Sequence, residues 1–123
     1  MCNEVDELLA ERGERYGEFM DLAYISQDFR EVMSVKPGWE RLAVDQKESL
    51  EMITHKIARI LNGDPNYVDS WADIAGYAQL VVQRLERDAE EAEAEAEERG
   101  VSHKKIKKAL KILRQAGILN QTA

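Results

Sequence analysis

Cysteine is almost missing from this chain, with Cys2 alone among 123 residues. One thiol closes no internal disulfide and builds no cysteine-rich zinc site. Beside the start Met in a polar stretch, it reads as incidental. Proline is nearly as scarce, at two, which leaves room for long helices. Alternation of apolar and polar residues is absent over any useful length, so no strand is expected, and no internal repeat is visible. Long apolar runs are lacking too. Leu80-Val81-Val82 is typical of the later helices, and no membrane span is expected. The opening MCNEVDELLAERGER has no basic segment followed by an apolar core, so it does not read as a signal peptide. A cytoplasmic protein is the simplest expectation.

What is present is charge, and it is unevenly placed. The chain has 24 acids against 17 bases, a net charge of −7. Residues 1–86 hold 17 acids and 9 bases, whereas 87–123 hold 7 and 8. The acidic balance of the first part argues against a general nucleic-acid binder. Hydrophobic residues make up 44%, enough to exclude wholesale disorder. The length suits one domain.

Helical spacing dominates. Val5, Leu8 and Leu9 begin an amphipathic stretch that reaches Gly13, and Gly13 with Gly17 interrupts it or lets the backbone turn. Phe19, Met20, Leu22, Ala23, Ile25, Phe29, Val32 and Met33 mark a second helix, stopped by Lys36-Pro37-Gly38. Trp39 and Leu42 then fall in a connector. Asp45 and Glu48 form a capping-box pattern that starts a third helix. Leu50, Ile53, Ile57, Ile60 and Leu61 are its stripe, and Asn62-Gly63-Asp64-Pro65 ends it. The fourth helix begins near Asn66 or Asp69. Val68, Trp71, Ile74, Ala75, Ala78, Val81, Val82 and Leu85 are expected to share one buried side.

After residue 86 the character changes. RDAEEAEAEAEER holds alanine and glutamate without a large apolar group, which predicts a solvated helical extension or linker. A last helix is expected from Ser102, capped by that residue and stapled by Val101 and Ile106, with Ile118 and Leu119 packing back. The expected fold is all-α: a small helical bundle over 1–86, an acidic extension over 87–100 and a basic amphipathic helix over 101–123.

Chemistry could come from two places. On the third helix Glu48, Glu51 and His55 fall on one face, with Lys56 and Arg59 close by; on the fourth, Asp69 and Asp73 align. If two antiparallel helices face each other, Glu48, Glu51, Asp69 and Asp73 could hold Mg²⁺. Lys56 or Arg59 would then neutralise phosphate charge. Gly76, one turn beyond Asp73, would leave space for a ligand or a close helix contact. The same acids also serve as caps and a solvated face. The second place is the final helix, where Lys104, Lys105, Lys107, Lys108, Lys111 and Arg114 could meet a phosphate backbone or pair with the acidic run of the same or a neighbouring chain.

The motifs LLAERGERYGEF and MITHKIARILNGDPNYVDSWADIAGYAQLVVQRL resemble an uncharacterised domain family common in tailed phages and prophages. The resemblance runs from Leu8 to Leu85. More remotely, the two-helix core is similar to the MazG-type all-α nucleotide pyrophosphohydrolases. That similarity implies Mg²⁺-dependent cleavage of nucleoside triphosphates. Its first acidic motif falls on Lys47, Glu48 and Glu51, with Lys47 where an acid leads in the family. Its second ends at Asp73, with Ser70 in an acid's place and Asp69 one residue earlier. Two functions are therefore expected as alternatives. One is a phage accessory protein, active or degenerate as a nucleotide pyrophosphohydrolase. The other is a non-enzymatic module that binds a host or phage protein, with nucleic-acid contact through the terminal lysines a third possibility. Long amphipathic helices in a small bundle predict a homo-oligomer, most simply a dimer.

Overall fold

The computed structural model describes residues 3–100 and 103–117. Six helices and no strand are present among the described residues: α1 (Glu4–Tyr16), α2 (Phe19–Ser34), α3 (Pro37–Glu40), α4 (Val44–Asn62), α5 (Val68–Glu98) and α6 (His103–Gln115). The all-α expectation holds. The chain divides into two units, Met1–Val82 and Gln83–Ala123. The expected contributions of Cys2, Val101, Ser102, Ile118 and Leu119 lie outside the described residues.

Local chemistry explains most boundaries. Asn3 caps α1: its side chain accepts from the Asp6 amide at 2.9 Å, and the Asp6 carboxylate accepts from the Asn3 amide. Gly13 does not interrupt this helix. The break comes at Gly17, whose φ of 76° is open to glycine at little cost. Pro37 starts the one-turn helix α3, so the expected connector is itself helical. Helix α4 begins one residue before the predicted cap. The Ala43 amide donates to the Gln46 side chain at 2.8 Å, so Asp45 lies inside the first turn rather than capping it. The acidic run is no separate linker; it continues α5 to Glu98.

Within the first unit, α2 packs against α4, and α1 joins them at the far end. Helix α5 meets α4 in the opposite sense. Ser49 donates to the Tyr77 carbonyl at 3.1 Å, and Lys56 reaches Asp73 further along. The interior is small: Leu22 and Ala58 are the only buried hydrophobic residues among those described, and Ser26, Ser49, Lys56 and Ser70 are buried with them.

This corrects the predicted core. Val5, Leu8, Leu9, Phe19, Met20 and Leu61 are exposed, as are Val68, Trp71, Val82 and Leu85. The apolar side of α5 is wider than one neighbouring helix can cover. Its Ser70, Ile74, Tyr77 and Val81 are buried or half-buried, while the adjoining stripe is open. Gly76 is also not at a close approach, because a side chain added there would meet nothing within 4 Å.

Candidate functional site

The two sequence motifs meet in space. Asn62, at the end of α4, donates through Nδ2 to the carbonyls of Tyr16 at 2.8 Å and Glu18 at 3.0 Å. The Asp64 amide donates to the Arg15 carbonyl at 2.6 Å. Arg15 stacks its guanidinium over the Tyr67 ring at 4.7 Å and donates to the Tyr67 hydroxyl at 3.2 Å. Tyr16 meets the same ring edge-on at 6.1 Å. The glycines make this junction possible: a Cβ on Gly63 would collide with the Arg15 carbonyl, and one on Gly17 with the Asn62 carbonyl. Along the chain these residues look only like caps and breakers. Their long-range pairing carries no helical-period signal.

A cavity of about 890 Å³ opens beside this junction, bounded by α1, the start of α2 and α4. Such a volume suits a small organic ligand. Leu9, Phe19 and Leu22 supply apolar wall, and Arg12, His55 and Arg59 supply basic groups. Glu14 and Glu18 are its acidic members. Arg59 lies with its guanidinium 4.3 Å from the Tyr16 ring centre. Its Nε is buried and has no hydrogen-bond partner. A buried unpaired donor is uncommon enough to require an explanation. The His55 ring nitrogen Nδ1 is 3.3 Å from the Ser26 hydroxyl. Burial, followed by the positive charges of Arg59, Lys56 and Arg30, holds the His55 pKa below its ordinary 6.5. The ring is therefore neutral at pH 7 and can accept or donate a hydrogen bond.

The predicted acidic site has another fate. Glu48 is exposed and Glu51 half-buried on α4; Asp69 and Asp73 are exposed on α5. Among the described residues, no three His, Cys, Asp or Glu side chains are grouped so as to hold a metal ion. The four acids are not brought together. Asp73 pairs with Lys56, Nζ to Oδ2, at 3.1 Å. Asp69 accepts from the Tyr67 hydroxyl at 2.9 Å, which raises that phenol above its usual pKa. Mg²⁺ wants several hard oxygen ligands in near-octahedral array, and this arrangement does not fit it. Of the two phosphate-neutralising candidates, Lys56 is buried against Asp73 and only Arg59 lines the cavity.

In the second unit, Lys104, Lys105, Lys107, Lys108, Lys111 and Arg114 of α6 are exposed, and Lys107, Lys111 and Arg114 line a shallow hollow. No helix of the described residues is long and apolar enough to cross a membrane.

The first unit is thus an all-α scaffold whose cavity is part apolar and part basic, set where the α1–α2 and α4–α5 connections clasp each other. Residues 2–85 match the family described as a domain of unknown function, DUF6378, and the chain belongs to that family. No curated protein and no solved structure matches the chain.

Proposed function

We propose that the first unit binds a phosphorylated nucleoside in the cavity beside Arg59, as a phage accessory protein of MazG-type ancestry working in the host cytoplasm. The observation that carries this reading is that Arg12 and Arg59 both line a ligand-sized cavity that also has an apolar wall. Arginine matches phosphate geometry well through its planar set of N–H donors. Leu9 and Phe19 offer apolar surface to a base. Arg12 adds a second cation. The motifs that resemble tailed-phage domains support the setting, and the all-α two-helix core supports the ancestry. No cleavage step is part of the proposal, because the acids that would organise Mg²⁺ stand apart.

The test is calorimetric titration with nucleoside mono-, di- and triphosphates and with inorganic pyrophosphate. At least one nucleotide binds, and Arg59→Ala weakens it tenfold or more, a loss of about 1.4 kcal/mol. Silence across the panel, or binding indifferent to Arg59→Ala, overturns the reading.

A second reading concerns α6. Its exposed lysines, two of them lining one hollow with Arg114, support contact with a nucleic-acid backbone independent of the cavity.

A further inference from the structure

Helix α5 carries more apolar surface than its own chain covers. Val68, Trp71, Ala75, Ala78 and Val82 follow one another at alternating steps of three and four residues. Leu85, Ala89, Ala92 and Ala96 continue the same steps without a break. This is a heptad seam sustained for about four heptads along one helix. Every seam residue except the half-buried Ala96 is exposed, with Val68 at 72% and Trp71 at 55%. The Trp71 ring is not loose, because its Nε1 donates to the Pro65 carbonyl at 2.8 Å. A large aromatic group is held in place on an open face.

We infer that α5 is the self-association helix of this protein: it pairs with α5 of a second copy as an antiparallel coiled coil. Three observations choose that occupant and that direction. First, a seam of this period is complementary to another helix of the same kind. Second, charge excludes the parallel arrangement. Positions flanking the seam are uncharged at Ala72, Ile74, Gln79 and Val81, but acidic at Glu86, Asp88, Glu93 and Glu95. A parallel mate would set Asp88 against Glu93 of the second copy, whereas an antiparallel mate sets the acidic half beside the uncharged half. Third, size matches only when the helices run in opposite senses. In one antiparallel register Val68 faces Ala92 of the second copy, Trp71 faces Ala89, Leu85 faces Ala75, and Val82 faces Ala78. Each layer then seats a large side chain on an alanine, the alternation that fills an interhelical space without voids. The two-fold axis repeats every contact.

Pairing through α5 is independent of nucleotide binding in the cavity. Light scattering on the full chain is expected to give twice the 14.1 kDa chain mass at micromolar concentration. Ala78→Glu sets a carboxylate against Val82 of the second copy and yields the single-chain mass. Ala92→Glu does the same from beyond the first unit, so its effect cannot come from unfolding that unit, and circular dichroism of both variants stays helical. Direction is read by disulfide trapping in a Cys2→Ser background. Chains carrying Ala75→Cys and Leu85→Cys, made different in mass by a tag, cross-link to each other. A single-chain mass for the wild type, a dimer that survives both glutamates, or cross-links only between like chains overturns the inference.

Discussion

Lys56 Nζ stands 3.1 Å from Asp73 Oδ2, and this ion pair is what Lys56 and Asp73 do in the fold. The lysine is buried at 9% exposure and the aspartate is half-exposed. The pair joins the middle of α4 to α5, on the side where Ser49 bonds to Tyr77. It turns two residues with the look of phosphate and metal chemistry into a structural clamp.

Removing one partner should therefore cost more than removing both. Asp73→Ala leaves a buried ammonium unpaired and is expected to lower stability by about 2 kcal/mol, less than for a fully buried pair because Asp73 is half in water. Lys56→Met together with Asp73→Ala should recover at least half of that loss in urea unfolding. Equal losses in the single and double variants would show that the clamp is not the cause.

His55 predicts a pH dependence. Its pKa in the fold is depressed, mainly by burial. The unfolded chain therefore takes up a proton on His55 before the folded one does. The stability contributed by keeping this ring neutral is present above pH 6.5 and is lost as pH falls through the lower folded value. Urea midpoints of the wild type and His55→Gln, compared at about pH 7.5 and below about pH 6, isolate the effect. The wild type should lose more of its midpoint on acidification than the variant.

The glycines separate into two kinds. Gly17 and Gly63 sit where an added Cβ would strike backbone at the end of the opposing helix, Asn62 of α4 and Arg15 of α1. Gly17→Ala and Gly63→Ala should each destabilise by about 2–4 kcal/mol. Gly13 and Gly76 lie inside helices with nothing within 4 Å of an added Cβ. Alanine at either should stabilise by roughly 0.5–1 kcal/mol. Thermal unfolding of the four variants checks both signs.

For α6, the expected outcome is a mobility shift of duplex DNA that weakens steeply with salt. Replacing Lys107, Lys111 and Arg114 together by alanine should make the salt slope shallower, by about 0.9 for each phosphate that the helix no longer neutralises. No shift at low salt would remove the nucleic-acid reading of this helix.

The sequence by itself determined the longer helices, because each rests on neighbours close in the chain, but it read the one-turn α3 as a connector. Three- and four-residue spacing marked α2 and α4, Pro37 and the Asn62–Pro65 stretch marked their ends, and alanine with glutamate marked the extension of α5. Its errors were local as well, such as a cap placed on Asp45 when the Gln46 side chain and the Ala43 amide made the better match. Only the tertiary structure decided which faces are covered and what the charged residues do. A helical period says that an apolar stripe exists, not whether a neighbour lies on it, so the open seam that begins at Val68 looked like core. Aligned carboxylates look alike whether they converge on an ion or each find a partner. Asp73 found Lys56, and Asp69 found Tyr67. The cavity that Arg59 lines lies beside the clasp of Arg15, Tyr16 and Gly17 on Asn62, Gly63 and Tyr67. Those contacts join residues more than forty positions apart, where no periodicity reaches.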